Sequence, residues 1–269
     1  MKDRRKRLSP GRAPAQKPAP RPPASGKRAT LARALSKRGF CSRSQAERLV
    51  ADGRVSLDGR VITSPETWVD IETARISVDG TPVHAEKPVY LMLNKPRGLV
   101  TTRHDPEGRE TVYACLTDYA GTHISPVGRL DKASEGLLLF TNDTVLAQAL
   151  LDPETHVAKI YHVQVDCVAD DALVEKLVAG ITHDGEFLTA AAVRILRGGE
   201  KNSWLSITLE EGRNRQIRRM LEALGIACLR LLRVAIGDIT LGDLEKGAVR
   251  PLSEAEIATL RQGTGLSKQ

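Results

Sequence analysis

Apolar residues along this chain fall into helical and strand-like periods whose order predicts two folded units. Leu31 and Leu35 share a helical face that stops at Gly39. A second helix follows: Ser42 and Gln45 have capping-box spacing, Ala46, Leu49 and Val50 form the apolar stripe, and Gly53 ends it. Asp58-Gly59, between Val55/Leu57 and Val61, carries the chemistry of a two-residue hairpin turn, as does Asp79-Gly80, between Ile76/Val78 and Val83. These elements predict a small helix-helix-hairpin module over residues 30–85.

Past Pro88 the pattern is that of a larger domain, expected over residues 86–262. A strand over residues 89–93 runs into the turn Asn94-Lys95-Pro96-Arg97-Gly98, and residues 137–140 read as a buried strand. Leu146, Ala149 and Leu150 give a helical stripe. Tyr161, Val163 and Val165 share one strand face, and Leu205, Ile207 and Leu209 repeat the alternation. Ile217, Met220, Leu221 and Leu224 mark the buried side of a helix that ends at Gly225. Strands and helices mix without strict alternation, which predicts an α+β fold. Residues 263–269 are expected to form a short tail.

Charge divides the chain unevenly. The whole protein carries +7, but residues 1–28 alone hold ten Lys/Arg and one Asp, a net of +9, so the rest is at −2. That segment is also proline-rich and has almost no large apolar residue, so residues 1–29 are expected to be a disordered tail attracted to phosphates. A polyanion-binding surface on the folded part has to be a local cluster. No apolar run reaches the roughly 18 residues of a membrane span, and the N-terminus lacks a signal peptide's apolar core; a cytoplasmic protein is expected. Cys41, Cys115, Cys167 and Cys228 make no Cys-x-x-Cys pair, the six histidines make no metal-binding pair, and there is no Walker or Gly-x-Gly-x-x-Gly loop. No metal or cofactor is expected.

Three segments offer chemistry: residues 128–139 around Asp131, Lys159-Ile160-Tyr161, and residues 211–220 with Arg213, Arg215, Arg218 and Arg219. They supply one carboxylate, one aromatic hydroxyl and four guanidinium groups within about two helical turns. Taken alone, Asp131 reads first as a backbone cap of its turn, Tyr161 equally as a core aromatic, and the arginines as a solvated helix face.

In the order Gly39, Ser42-Arg43, Ala46, Leu49-Val50, Gly53 and Val55 to Gly59, the first module resembles the small RNA-binding domain named after ribosomal protein S-four. By that resemblance Arg43, Arg48 and Arg54 are candidate phosphate contacts. The larger domain resembles the RsuA family of pseudouridine synthases through Gly128-Arg129-Leu130-Asp131, Ser134 to Leu139, Thr141-Asn142-Asp143, Lys159-Ile160-Tyr161 and Gln216-Ile217-Arg218, with supporting matches at 93–98, 233–237 and 247–252.

The resemblance implies a mixed, mainly antiparallel β-sheet with flanking helices, and an isomerase that converts uridine to pseudouridine in ribosomal RNA. The large subunit is slightly favoured. Asp131 would be the nucleophile, Tyr161 would lie against the uracil and share in the final proton transfer, and Arg218 would pair with the aspartate, with Arg213 its nearest competitor. Arg129 would fill the gap left by the flipped nucleotide, and Arg213, Arg215 and Arg219 would bind RNA. Thr144 stands where relatives commonly have glycine, and Arg215 where other branches carry histidine. The implied partner is ribosomal RNA or a pre-ribosomal particle, and the protein is expected to work as a monomer. The alternatives are a non-catalytic assembly factor and a nucleic-acid hydrolase; the second would need a metal cluster or second acid that the sequence lacks.

Overall fold

The computed structural model describes residues 28–84 and 86–266. The first of these form a small module with its own core. Strand β1 (Arg28–Thr30) leads into α1 (Leu31–Lys37) and α2 (Arg43–Ala51), followed by β2 (Val55–Leu57), β3 (Arg60–Ile62), β4 (Trp68–Asp70), β5 (Ile76–Val78) and β6 (Thr81–Pro82). The Asp-Gly turns close the hairpins β2–β3 and β5–β6, with Asp58 and Asp79 themselves at positive φ. Ser42 accepts from the Gln45 N–H while the Gln45 side chain accepts from the Ser42 N–H, so the predicted capping box is complete. Leu31, Leu35, Ala46, Val50, Val55 and Ile76 are buried together.

A buried arginine ties this module off. Arg38 donates from its guanidinium to the carbonyls of Val83, Ile71 and Ala74, and its own carbonyl accepts from the Glu86 N–H. Arg28 and Ala29 do not belong to a tail, contrary to the sequence expectation: β1 pairs antiparallel with β4 and buries Ala29. The rest of the basic segment lies outside the described residues.

The larger domain is built on a nine-stranded sheet. Its strands are β7 (Tyr90–Lys95), β8 (Ser125–Pro126), β9 (Glu135–Thr141), β10 (Lys159–Val165), β13 (Ala192–Gly198), β14 (Ser203–Leu209), β15 (Cys228–Ile236), β16 (Ile239–Thr240) and β17 (Val249–Pro251). The order is β13-β14-β10-β15-β9-β7-β17, with β8 on β9 and β16 on β15. A separate hairpin, β11 (Ile181–His183) with β12 (Glu186–Leu188), lies before β13. Helices α3 (Thr144–Leu151), α4 (Asp171–Ala179), α5 (Gln216–Ala223) and α6 (Glu254–Gly263) flank the sheet. This is the mixed α+β architecture expected. Thr144 simply opens α3 behind the Asp143 cap.

Every pairing in the large sheet is antiparallel except β9 with β15. Gly136 makes this junction possible: at φ +99° a Cβ there would stand 2.2 Å from the Arg233 carbonyl oxygen, closer than any side chain tolerates. The parallel contact sets the turn that precedes β9 beside the middle of β15. The buried Glu135 at the start of β9 is held by Arg230 and Lys246; burial pushes its carboxyl up, but these two cations outweigh that and leave it below the usual range. At the C-terminal end, Thr264 is buried and Leu266 packs on the core beside α6, so residues 263–266 of the expected tail belong to the domain; residues 267–269 lie outside the described residues.

Candidate active site

Asp131 stands in the turn between β8 and β9, and that turn is fixed by hydrogen bonds from another part of the chain. Lys95, at the end of β7, is fully buried and donates from Nζ to the carbonyls of Asp131 (3.2 Å), Ser134 (2.9 Å) and Pro96 (3.1 Å). The Gly98 N–H donates to the Lys132 carbonyl at 2.8 Å, and Thr101 Oγ1 donates to the Leu130 carbonyl at 2.7 Å. Both neighbours of Asp131 are therefore anchored through the backbone, which leaves its side chain to project from a rigid edge. Burial holds the Lys95 ammonium down to about 8, although Asp131 and Glu135 pull the other way.

Two guanidinium groups face the carboxylate. Arg218 Nε and Arg215 Nη1 each lie 3.8 Å from Asp131 Oδ2, within ion-pair range but too far for a hydrogen bond. Arg218 is held by other contacts: its terminal nitrogens donate to the carbonyls of Cys228 and Ala133 at 3.3 Å, while its Nε is buried and unpartnered. Arg215 is at the N-cap of α5 in the left-handed conformation, φ 49°, which is uncommon for a residue with a Cβ. It turns the chain sharply from the β14 loop into the helix. Among the described residues no hydrogen bond occupies either Asp131 oxygen.

Not all of the arginine cluster points at Asp131. Arg213 bonds Glu211 at 2.8 Å and Glu186 at 2.9 Å; Arg219 bonds the other oxygen of Glu186 at 2.6 Å and the His183 carbonyl at 3.2 Å. These two brace the loop and α5 against the β11–β12 hairpin. Arg215, and not Arg213, is the second guanidinium near the aspartate.

Two clefts meet at Asp131. One, of about 470 Å³, is lined by Arg129, Lys159, Tyr161, Leu231 and Arg233 among others. The other, of about 530 Å³, continues past Asp131 along the loop carrying His104, Asp105 and Arg109. Arg129 is exposed on the rim and borders both. Tyr161 is half-buried: it packs on the cores under both halves of the sheet and also borders the first cleft, so the core and site readings of this residue coexist.

Lys95, Lys159 and Arg233 were not singled out from the sequence as site residues. Lys95 was visible only as part of a turn motif. Lys159 had a signal, two residues from Tyr161 on the same strand face. Arg233 becomes a neighbour of Tyr161 only through the β10–β15 register.

The S-four-like arginines lie elsewhere. Arg43 and Arg48 are exposed on α2, with Arg43 ion-paired to Glu47 at 3.0 Å, and Arg54 is engaged by Asp79. Arg43 also borders a cleft of about 360 Å³ between the small module and α3. Among the described residues no group of three or more His, Cys, Asp or Glu could hold a metal ion, and no helix is long and apolar enough to cross a membrane.

Residues 89–223 match the family model for RNA pseudouridylate synthase, and residues 30–74 match the S4 domain model. An uncharacterized RNA pseudouridine synthase of Aquifex aeolicus is 38% identical over 233 residues, covering 86% of this chain and 93% of that protein. The ribosomal large subunit pseudouridine synthase B of Pasteurella multocida is 36% identical over 243 residues, covering 88% of this chain and 70% of that one. A crystal structure of a pseudouridylate synthase superposes with a TM-score of 0.61 at 29% identity, covering 86% of this chain and 99% of that chain. The chain belongs to the RNA pseudouridylate synthase family, isomerases that act on RNA, and carries an S4 domain in front of the catalytic one.

Proposed function

We propose that this enzyme isomerises one specific uridine of ribosomal RNA, with large-subunit RNA the favoured substrate, and that Asp131 makes the attack. The observation that carries the reading is the state of the Asp131 side chain. Its backbone is locked by Lys95 and Thr101, its carboxylate faces Arg215 and Arg218 at 3.8 Å, and no hydrogen bond from the described residues occupies its oxygens. A positioned, unblocked carboxylate beside a nucleoside-sized cleft is what nucleophilic catalysis requires.

The steps follow from the surroundings. A uridine inside folded RNA reaches Asp131 only after leaving its stack, which costs a few kcal/mol. Exposed Arg129, on the rim of both clefts, occupies the vacated space, while Arg213, Arg215 and Arg219 with Arg43 and Arg48 attract the RNA backbone. Tyr161 lies against the uracil as it detaches, turns and rejoins through carbon 5, and takes part in removal of the carbon 5 proton. Arg218 holds the aspartate side chain in place. The proposed division of the chain is a basic tail over 1–29, of which Arg28 and Ala29 join β1, an RNA-binding module over 30–85 and a catalytic domain over 86–262. The enzyme is proposed to act in the cytoplasm as a monomer. The name of the Pasteurella relative supports the large subunit.

The test is carbodiimide-stop primer extension on unmodified ribosomal RNA from both subunits, and on assembling particles, after incubation with the protein. A stop at a single uridine of large-subunit RNA is expected. Absence of any new stop on all of these substrates, despite tight binding, would overturn the reading in favour of a non-catalytic assembly factor.

A further inference from the structure

Beneath Asp131 the first cleft is floored by two cations that have no anion among the described residues. Lys159 and Arg233 are 8% and 5% exposed. Lys159 Nζ has no hydrogen-bond or ion-pair partner among the described residues. Arg233 donates from Nε to the Leu137 carbonyl at 2.7 Å, but its Nη2 is buried with no partner. Both border the cleft that holds Asp131 and Tyr161. They stand close enough to repel each other: burial and the Arg233 charge together hold the Lys159 ammonium below its ordinary value. A folded protein rarely leaves two such groups without a counter-charge, because each pays a desolvation cost that only a partner offsets.

The register explains their convergence. Lys159 and Tyr161 project from one face of β10, and Arg233 of β15 is the direct cross-strand partner of Tyr161. Arg233 is in turn fixed to β9 by its bond to Leu137, next to the junction that Gly136 permits. The phenol and the two cations thus line the same cleft as the turn that carries the carboxylate.

We propose that Lys159 and Arg233 form the anion seat for the detached uracil, donating to its ring oxygens while the base is bonded to nothing. This rests on the reading of Asp131 as the attacking group. When the C1′–N1 bond breaks, its electron pair stays on N1, and an Asp131 oxygen supplies the pair that bonds C1′. The negative charge of the free base spreads over N1 and the two carbonyl oxygens. After the ring turns, carbon 5 supplies the pair for the new C1′–C5 bond and the Asp131 oxygen leaves with its own pair. Carbon 5 then gives up its proton and N1 gains one, so the product is an isomer and nothing is oxidised or reduced. Donors aimed at a charge that exists only along the reaction path favour the transition state over the bound substrate. A backbone phosphate is the other anion that could fill the seat. The exposed Arg129 and Arg215 already offer phosphates solvated partners at the rim, whereas this floor is nine-tenths buried.

The experiment compares wild-type protein, Lys159→Met and Lys159→Arg on two versions of one target RNA, carrying uridine or 5-fluorouridine at the reacting position. Single-turnover loss of the original nucleoside and RNA affinity are both measured, and the fold is checked by thermal unfolding; Lys159→Gln replaces the methionine variant should that one not fold. Removing the ammonium should slow uridine by about 100-fold with affinity little changed, as for loss of one donor to a developing anion. Fluorine already stabilises the departing anion, so that RNA should lose roughly tenfold less. Arginine at 159 should restore most of the rate. Equal losses on the two RNAs would assign Lys159 a structural role, and lost affinity with an unchanged rate would make the seat a phosphate site; either overturns the proposal. Failure of the wild-type protein to convert either RNA would instead sink the reading of Asp131.

Discussion

One face of β10 holds two kinds of environment within seven residues. At its C-terminal end Val163 and Val165 are fully buried with Leu205, Ile207 and Leu231 under residues of α4 and α5. At its N-terminal end the same face carries Lys159 and Tyr161, bordered by Arg233, and opens into the cleft below Asp131. Backbone geometry is shared, so the difference lies in what covers the face: helices on one side and a hydrogen-bonded turn on the other. The apolar end supplies a rigid sheet. The polar end uses that rigidity to hold charges where solvent does not compensate them, which is the form a functional site takes when it breaks the rules of a core.

Substitutions at the two ends should separate cleanly into activity and stability. Arg218→Met removes the guanidinium from beside Asp131 and its bonds to Cys228 and Ala133; single-turnover conversion should fall by about 100- to 1000-fold with RNA binding retained. A quench-flow assay at saturating enzyme would check this, and an unchanged rate would remove Arg218 from the site. Leu205→Ala, at the sealed end, should cost about 2–5 kcal/mol of stability in urea unfolding. Its conversion rate well below the unfolding temperature should stay at the wild-type value, and a large rate loss in a folded sample would break the division between the two ends.

Lys95 gives a pH-dependent version of the same contrast. Burial lowers its folded pKa to about 8 from the ordinary lysine value of 10.5, so the folded protein releases this proton before the unfolded chain does. Its contribution to stability is therefore greatest above pH 10.5 and declines as pH falls through 8. Unfolding free energies measured across that window should rise with pH more steeply in the wild type than in Lys95→Met. Parallel curves would contradict the buried, charged state assigned to Lys95.

The smallest effect is expected at Arg213. Glu186 and Glu211 already neutralise it, so Arg213→Ala should weaken RNA binding less than Arg215→Ala and change its salt dependence less. A salt titration of affinity for both variants decides the order. A larger loss at Arg213 would mean that its carboxylates let go when RNA arrives.

What the sequence disclosed and what it concealed divide along the same line. Local signals were readable: the Ser42–Gln45 box, the Asp58-Gly59 and Asp79-Gly80 turns, the period-2 strands and the amphipathic α5 all depend on neighbours a few residues away. Asp131, Tyr161 and Arg218 stood out through motif resemblance, and the fold places Asp131 and Tyr161 on one cleft with Arg218 Nε 3.8 Å from the carboxylate. Spacing could not sort the four arginines, because the carboxylate that claims Arg213 and Arg219 comes from the β11–β12 hairpin, about thirty residues earlier in the chain. Nor could it single out Arg233, whose position depends on a parallel pairing with residues almost a hundred positions away. The pairing of β1 with β4 was hidden likewise, since Arg28 and Ala29 look like the end of a basic tail until Trp68–Asp70 is beside them.

The decisive measurement is the single-turnover rate of pseudouridine formation by Asp131→Asn, alongside its affinity for the same RNA. The substitution keeps the shape of the side chain and the backbone bonds from Lys95 and Thr101, but removes the attacking carboxylate. Conversion should fall by about four orders of magnitude or more while affinity and thermal stability stay near wild type. Conversion at an appreciable fraction of the wild-type rate would show that another group makes the attack. Loss of folding together with activity would make Asp131 a structural cap of its turn.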